Sequence, residues 1–228
     1  MQPGEWVLIS VKPAVIPVQD SCEKRRAYVI LKGNKPDGDE GMPDSIKETK
    51  QELRRKYRRA VKAMGEEARR EACLEIAERI ALLPEYKKAL TVMVYSALPD
   101  EVDLKPLIGH PSSAGKRFVY PLCLNETDMA VMLPGKWNEG MYGIKEPDRE
   151  SSEEASPDTI DLVICPGVAF DDEKTRMGKG RGYYDRYLPR CVNAKVIMAA
   201  FELQHAPILP REETDIPMDQ VVTERAVY

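Results

Sequence analysis

Three apolar runs, set apart by segments of helical period, constrain this chain more than any other feature. "ALTVMVYSAL" (89–98), "TIDLVICPGVAF" and "AKVIMAAF" are nearly continuous in aliphatic, β-branched and aromatic residues. A half-exposed strand alternates apolar with polar; a run without alternation suits a strand buried on both faces, as in parallel sheets. "KRFVYPLCL" and "MAVML" read as further strands, and "EVDLKPLIGH" as a short helix. Strands alternating with helices predict an α/β fold, an open and mainly parallel sheet flanked by helices. "TIDLVICPGVAF" is its strongest strand, whereas "YGIKEPDRESSEEASPD" reads as irregular, its Ser/Glu-rich part a solvated loop.

Two helices should precede the first strand. In "SIKETKQELRRKYRRAVKAM", Ser45 followed three residues later by Glu48 is a capping-box pattern, and Leu53, Tyr57, Ala60, Val61 and Met64 recur at helical spacing. After Gly65, "EEARREACLEIAERIALL" places Ala72, Ile76, Ile80 and Leu83 on one face, with Pro84 just beyond. Residues 1–44 read as an N-terminal extension of unassigned function. Its "WVLISV" and "AYVILKG" could form short strands, but "KGNKPDGDEGMPD" has the composition of a linker. The domain is therefore expected over residues 45–228.

Composition narrows the function. The net charge of −4 argues against a nucleic-acid partner, and no apolar run approaches the roughly 18 residues of a membrane span. Glu5 precedes "WVLISV", which is too short for a signal-peptide core. The five cysteines are odd in number and form no CxxC, so most are expected to be small core residues of a reduced, cytoplasmic protein, with a mitochondrial location left open. His110 and His205 lie far apart without ligand spacing, which makes a zinc site a poor fit and suggests structural or exposed roles.

Ligands of open α/β sheets collect beyond the carboxyl ends of the strands. There Glu101 and Asp103 follow the first strand, and "MGKGRGYYDRYL" (177–188) follows the strongest one, leading into a helix from about Tyr183 to Leu188. Backbone N–H groups freed by glycine near a helix start suit an anionic phosphate, and Arg176, Lys179 and Arg181 add positive charge. Yet a Walker loop needs Ser or Thr where Gly180 stands, and a Rossmann fingerprint needs glycine where Tyr183 stands. By pattern alone the run is equally an ordinary loop. Lys50 and Arg54, four residues apart, share one face of the first helix and equally suit a solvated surface.

Taken in order, "KQELRRKYR", "YSALPDEVDLKPLI", "KWNEGMYGIKEP", "DLVICPGVAFDDEKTRMGKGRGYYDRYL" and "TDIPMDQVV" resemble the 5-formyltetrahydrofolate cyclo-ligases, or 5,10-methenyltetrahydrofolate synthetases, over about residues 46–224. The resemblance implies a cyclo-ligase/CoA-transferase-like fold. It also implies ATP- and Mg2+-dependent closure of 5-formyltetrahydrofolate to 5,10-methenyltetrahydrofolate, with release of ADP and phosphate. Two rival readings remain: an ATP-dependent enzyme acting on another substrate, and a non-catalytic nucleotide- or folate-binding regulator.

The resemblance assigns residues as well. Lys50 and Arg54 match phosphate contacts of ATP, and Arg176, Gly178, Lys179, Gly180, Arg181, Gly182, Tyr183 and Tyr184 match the nucleotide loop, whose later part borders the folate. Asp185 and Asp215 match the magnesium positions, with Asp219 a competitor for the second. Glu101 matches the acidic residue near the formyl group, and Glu101, Lys179 and Tyr183 form the implied catalytic set. Ser96 stands where a larger apolar residue can line the folate pocket. Trp137 and Tyr183 are candidate walls for the pterin by stacking, with core packing the alternative for Trp137. A monomer or weak homo-oligomer is expected.

Overall fold

A computed structural model describes residues 46–140 and 143–228. Expectations for "WVLISV", "AYVILKG", the linker, Cys22 and the Ser45 half of the capping box lie outside the described residues. Two helices lead, α1 (Ile46–Ala63) and α2 (Glu66–Leu82), followed by a single turn α3 (Pro84–Lys88) that begins at the proline. Tyr57 and Val61 of α1 are buried, as are Ala72, Ile76 and Ile80 of α2, so the helical periods mark the inward faces.

A seven-stranded sheet follows, made of β1 (Thr91–Met93), β2 (Arg117–Cys123), β3 (Met129–Leu133), β6 (Glu153–Glu154), β7 (Leu162–Pro166), β10 (Lys195–Ala199) and β11 (Gln220–Val222). Its order is β11-β10-β7-β1-β2-β3-β6. The five strands from β11 to β2 pair in parallel, and β3 and β6 add an antiparallel edge. The mainly parallel α/β sheet is thus observed.

Both faces of the central strands are buried. Val92, Leu162, Ile164, Ile197 and Ala199 pack with α2 on one side. Their neighbours Met93, Val163, Cys165, Val196 and Met198 pack with Tyr187 and Leu188 on the other. Period-2 side chains meeting a core on each face explain the unalternating apolar runs. Cys73, Cys165 and Cys191 are buried and Cys123 half-buried, all four as free thiols.

Three local expectations need correction. The run 89–98 supplies only three strand residues, because the backbone beyond Val94 turns away into the loop that carries Glu101. "TIDLVICPGVAF" is interrupted at Gly167, where a Cβ would lie 2.3 Å from Cε of Met198. Past that point β8 (Ala169–Phe170) pairs with β9 (Arg176–Met177) as a separate ribbon. The stretch read as irregular contributes two strands: β5 (Lys145–Pro147), paired with β4 (Trp137–Glu139), and β6. These polar strands carry no periodic signal, since pairing with distant segments makes them strands.

His110 accepts from the Ser112 N–H at the start of a 3-10 turn, and His205 stacks on Phe170 with ring centroids 4.9 Å apart. Both are structural. Among the described residues no helix is long and apolar enough to cross a membrane.

Candidate functional site

The chain leaves β1 toward β2 and β3 on one side, then returns to β7 and continues to β10 and β11 on the other. β1 and β7 are neighbours, so the direction of winding reverses between them, and such a switch opens a crevice at the carboxyl ends. A cavity of about 740 Å3 lies there, with Ser96 and Glu101 from the loop after β1, Pro166 and Gly167 at the end of β7, and Arg176 to Asp185 from the segment that follows. α5 (Tyr183–Tyr187) closes that segment.

Lys50 and Arg54 reach the same cavity from α1. A small cluster holds that helix in place, with Tyr57 and Leu53 packed on Val168, Ala169 and Met177 of the β8–β9 ribbon. Lys50 is buried, and its ammonium pairs with Asp215 at 2.6 Å and Glu212 at 2.7 Å. The Arg54 Nε donates to the Gly178 carbonyl at 2.8 Å. Burial pushes the Arg54 pKa down, while Asp215, Glu212 and Asp185 pull it back up.

The glycine loop is shaped for close approach. Gly180 has φ +99°, and a Cβ there would stand 3.3 Å from Cζ of Arg54. Gly182, at φ +68°, precedes the first residue of α5 in the left-handed region. Both conformations favour glycine. Just before them Lys179 ties the two loops together, its Nζ 2.6 Å from Asp100 and 3.0 Å from Glu101. Glu101 also accepts the Leu98 N–H at 2.9 Å, which fixes the carboxylate at the end of β1. Burial alone would raise the pKa of Asp100, but hydrogen bonds from Lys179 and Arg58 hold it below the usual value.

Arg176 is buried, donating to Asp185 at 3.0 Å and to the Pro166 carbonyl at 3.2 Å. Its Nε and the Tyr184 hydroxyl are buried and have no hydrogen-bond partner among the described residues, and the guanidinium lies 5.3 Å from the Tyr184 ring centroid. Desolvation raises the Tyr184 pKa well above that of a free phenol. Buried polar atoms left unpaired beside a cavity mark where a ligand atom could bond. Tyr183 donates to the Asn125 carbonyl at 2.7 Å, and Arg181 pairs with Glu126 at the exposed rim.

Every residue suggested by the sequence reaches this cavity except three. Trp137 is 39% exposed on β4, edge-on to Tyr120 at 4.8 Å, so it joins neither the cavity nor the core. Asp103 accepts the Lys105 N–H at the start of α4 (Lys105–Ile108), and Asp100 takes the place beside Glu101. Asp219 pairs with Lys195 and the Val196 N–H at the opposite, amino end of β10, so Asp215 is the one that lines the cavity. Sequence reasoning passed over Glu212, Asp100, Cys123 and Glu146. Asp100 adjoins Glu101 and Glu146 lies in the quoted "KWNEGMYGIKEP", but neither carries a signal of its own.

The profile of the 5-formyltetrahydrofolate cyclo-ligase family matches residues 46–224, a span that contains the whole of this cavity. The chain belongs to that family. It is an enzyme, and two curated members resemble it along nearly their full length. The 5-formyltetrahydrofolate cyclo-ligase of Mus musculus is 28% identical over 79% of this chain and 96% of its own. That of Escherichia coli K12 is 31% identical over 73% and 96%. The solved 5,10-methenyltetrahydrofolate synthetase of Aquifex aeolicus superposes with a TM-score of 0.69 at 35% identity, over 78% of this chain and 91% of its own.

Proposed function

We propose that the chain closes 5-formyltetrahydrofolate to 5,10-methenyltetrahydrofolate, consuming ATP and releasing ADP and phosphate. One observation carries this reading: a single crevice, within the family-matched span, holds a set of cations around a glycine loop and an apolar wall beside it. The difficulty of the reaction lies in the formamide, whose carbonyl is a poor electrophile and whose oxygen is a poor leaving group. Transfer of the terminal phosphoryl group of ATP to that oxygen breaks the bond to ADP and forms an iminium phosphate. N10 then attacks the formyl carbon and loses its proton, and phosphate departs with the former formyl oxygen.

The protein's contribution is positioning and charge placement, as in other phosphoryl transfers. Lys50, Arg54, Arg176 and Lys179, with the N–H groups of 178–182, are assigned to the phosphates. Arg181 and Tyr184 complete that loop, and Ser96, Tyr183 and Glu101 face the folate. Glu101 sets negative charge where N5 and N10 become positive, and its ion pair with Lys179 links the two substrates.

Asp185 and Asp215 suit Mg2+. Both are hard oxygen donors on this cavity, both act on Arg54, and among the described residues they belong to no larger cluster of ligating side chains. Magnesium takes one or two carboxylates when substrate phosphates and water complete its shell. They would hold the ion, which when bound offsets phosphate charge. A cytoplasmic location is part of this reading, beside a relative in Arabidopsis thaliana named as mitochondrial.

The test is direct. Purified protein with 5-formyltetrahydrofolate and Mg-ATP should develop the near-ultraviolet absorbance of the methenyl product, and none when ATP is omitted. Binding of both ligands without product would favour the regulator. Phosphate release only with other amides would favour the different-substrate reading.

A further inference from the structure

One stretch of the cavity wall is mainly apolar and holds one buried carboxylate. Pro121, Met129 and Ile144 line it together with Cys123, Glu146 and the exposed Lys145. Glu146 is only 5% exposed, and it forms no ion pair among the described residues. It accepts instead from the Cys123 thiol and the Cys123 N–H, and the same thiol contacts the Tyr183 hydroxyl. Gly140 at the end of β4 leaves room for it, since a Cβ there would lie 2.4 Å from Oε2 of Glu146. A buried carboxylate without a cation is expensive, and the fold keeps it at a ligand cavity.

We propose that Glu146 is a substrate-recognition residue, its carboxylate accepting the amino and ring N–H donors of the folate's flat aminopyrimidinone ring. The inference rests on the folate reading above. Three features of the wall select this ligand edge. Apolar residues around a single polar group suit a planar heterocycle held in one orientation. Two parallel acceptor oxygens match two adjacent N–H donors, as they match a guanidinium. The link through Cys123 to Tyr183 sets this end of the cavity beside the tyrosine assigned to the folate. The phosphate cations occupy the other wall, so the anionic parts of ATP are not drawn to Glu146.

Calorimetric titration of the full chain with 5-formyltetrahydrofolate, and with its analogue carrying methyl in place of the 2-amino group, tests this. The unmodified protein should bind the analogue about 10²-fold more weakly, because a site built around a donor leaves its own acceptor unpaired when that donor is missing. In Glu146→Gln this discrimination should shrink to less than about tenfold, with Mg-ATP affinity held within about twofold. Equal binding of the two folates by the unmodified protein overturns the inference while leaving the folate reading intact. Discrimination retained in Glu146→Gln also overturns it. If the folded protein binds Mg-ATP but neither folate, the substrate reading fails and this inference fails with it. Should Glu146→Gln not fold, the comparison on the unmodified protein still decides.

Discussion

Two walls of one cavity carry opposite charge and hold it in opposite ways. On the basic wall the cations already have partners: buried Lys50 has Asp215 and Glu212, half-buried Lys179 has Asp100 and Glu101, and buried Arg176 has Asp185. On the β5 wall Glu146 has hydrogen-bond donors but no ion pair among the described residues, and burial pushes its pKa up. The paired wall keeps a set of cations close together without a ligand, and an incoming phosphate must exchange for internal carboxylates. Burial of a carboxylate without a counter-ion weakens the fold, and in the proposed complex the folate adds N–H donors to those of Cys123. One site thus combines charges organised by the protein with a charge left for the substrate.

The largest effect is expected at Glu101, which joins the loops after β1 and β7 through Lys179. Glu101→Gln should lower turnover about 10²-fold, the scale of a single electrostatic contact at a reacting centre. Nucleotide affinity by calorimetry should stay nearly constant, because Lys50 and Arg54 are untouched. Parallel losses of turnover and nucleotide affinity would move Glu101 to the phosphate side.

A smaller effect is expected at Gly180. An alanine there must adopt φ near +99° and press on Arg54, which should cost roughly 1–2 kcal/mol in denaturant unfolding. Mg-ATP affinity should fall as well, and folate affinity much less. Unchanged nucleotide binding would mean that the loop does not receive the phosphates.

Acid titration separates the walls by sign. The folded pKa of Glu146 is raised above 4.5, so its penalty is full at neutral pH and fades as pH falls through the raised value toward 4.5. Glu146→Gln should therefore melt higher than the unmodified, ligand-free protein at pH 7, with the advantage vanishing near pH 4.5. Asp100 runs the other way. Its folded pKa is depressed below 3.8, so its stabilisation is full above that value and is lost as pH falls through the folded pKa. Asp100→Asn should destabilise at pH 7, and the deficit should shrink only in strong acid. Melting curves between pH 3 and pH 7 check both signs, and like signs for the two variants would end the contrast.

The smallest expected effect lies outside both walls. All the assigned side chains lie at or after Lys50, so a chain of residues 45–228 should keep the turnover and melting of the full protein. Aggregation or loss of activity would make residues 1–44 part of the fold and shift the proposed domain boundary.

The parts legible in the sequence are those whose cause is local or repeated. Burial on both faces leaves its mark as unbroken apolar runs, which is why β7 and β10 could be read directly. A single buried face does the same for α2 at helical spacing. Lys50 with Arg54, and the glycine loop, are visible as patterns, although by pattern alone a phosphate site and a plain surface look alike. The β4–β5 hairpin was not legible, because its polar residues become strands only through pairing. Trp137 shows the same limit from the other side, since an aromatic beside a family motif says nothing of which way its strand faces.

What the sequence determined by itself was therefore the two-faced sheet, its two leading helices and the chemistry available at the loops. Tertiary structure alone decided which charges meet. Lys50 finds its counter-ions 162 and 165 residues away, Lys179 finds Asp100 79 residues back, and Glu146 meets none among the described residues. Apolar burial is set by composition along a short segment, whereas the energy of a charge depends on distances of a few ångströms to groups from other segments. Those distances exist only once the sheet has been wound in both directions from β1 and β7.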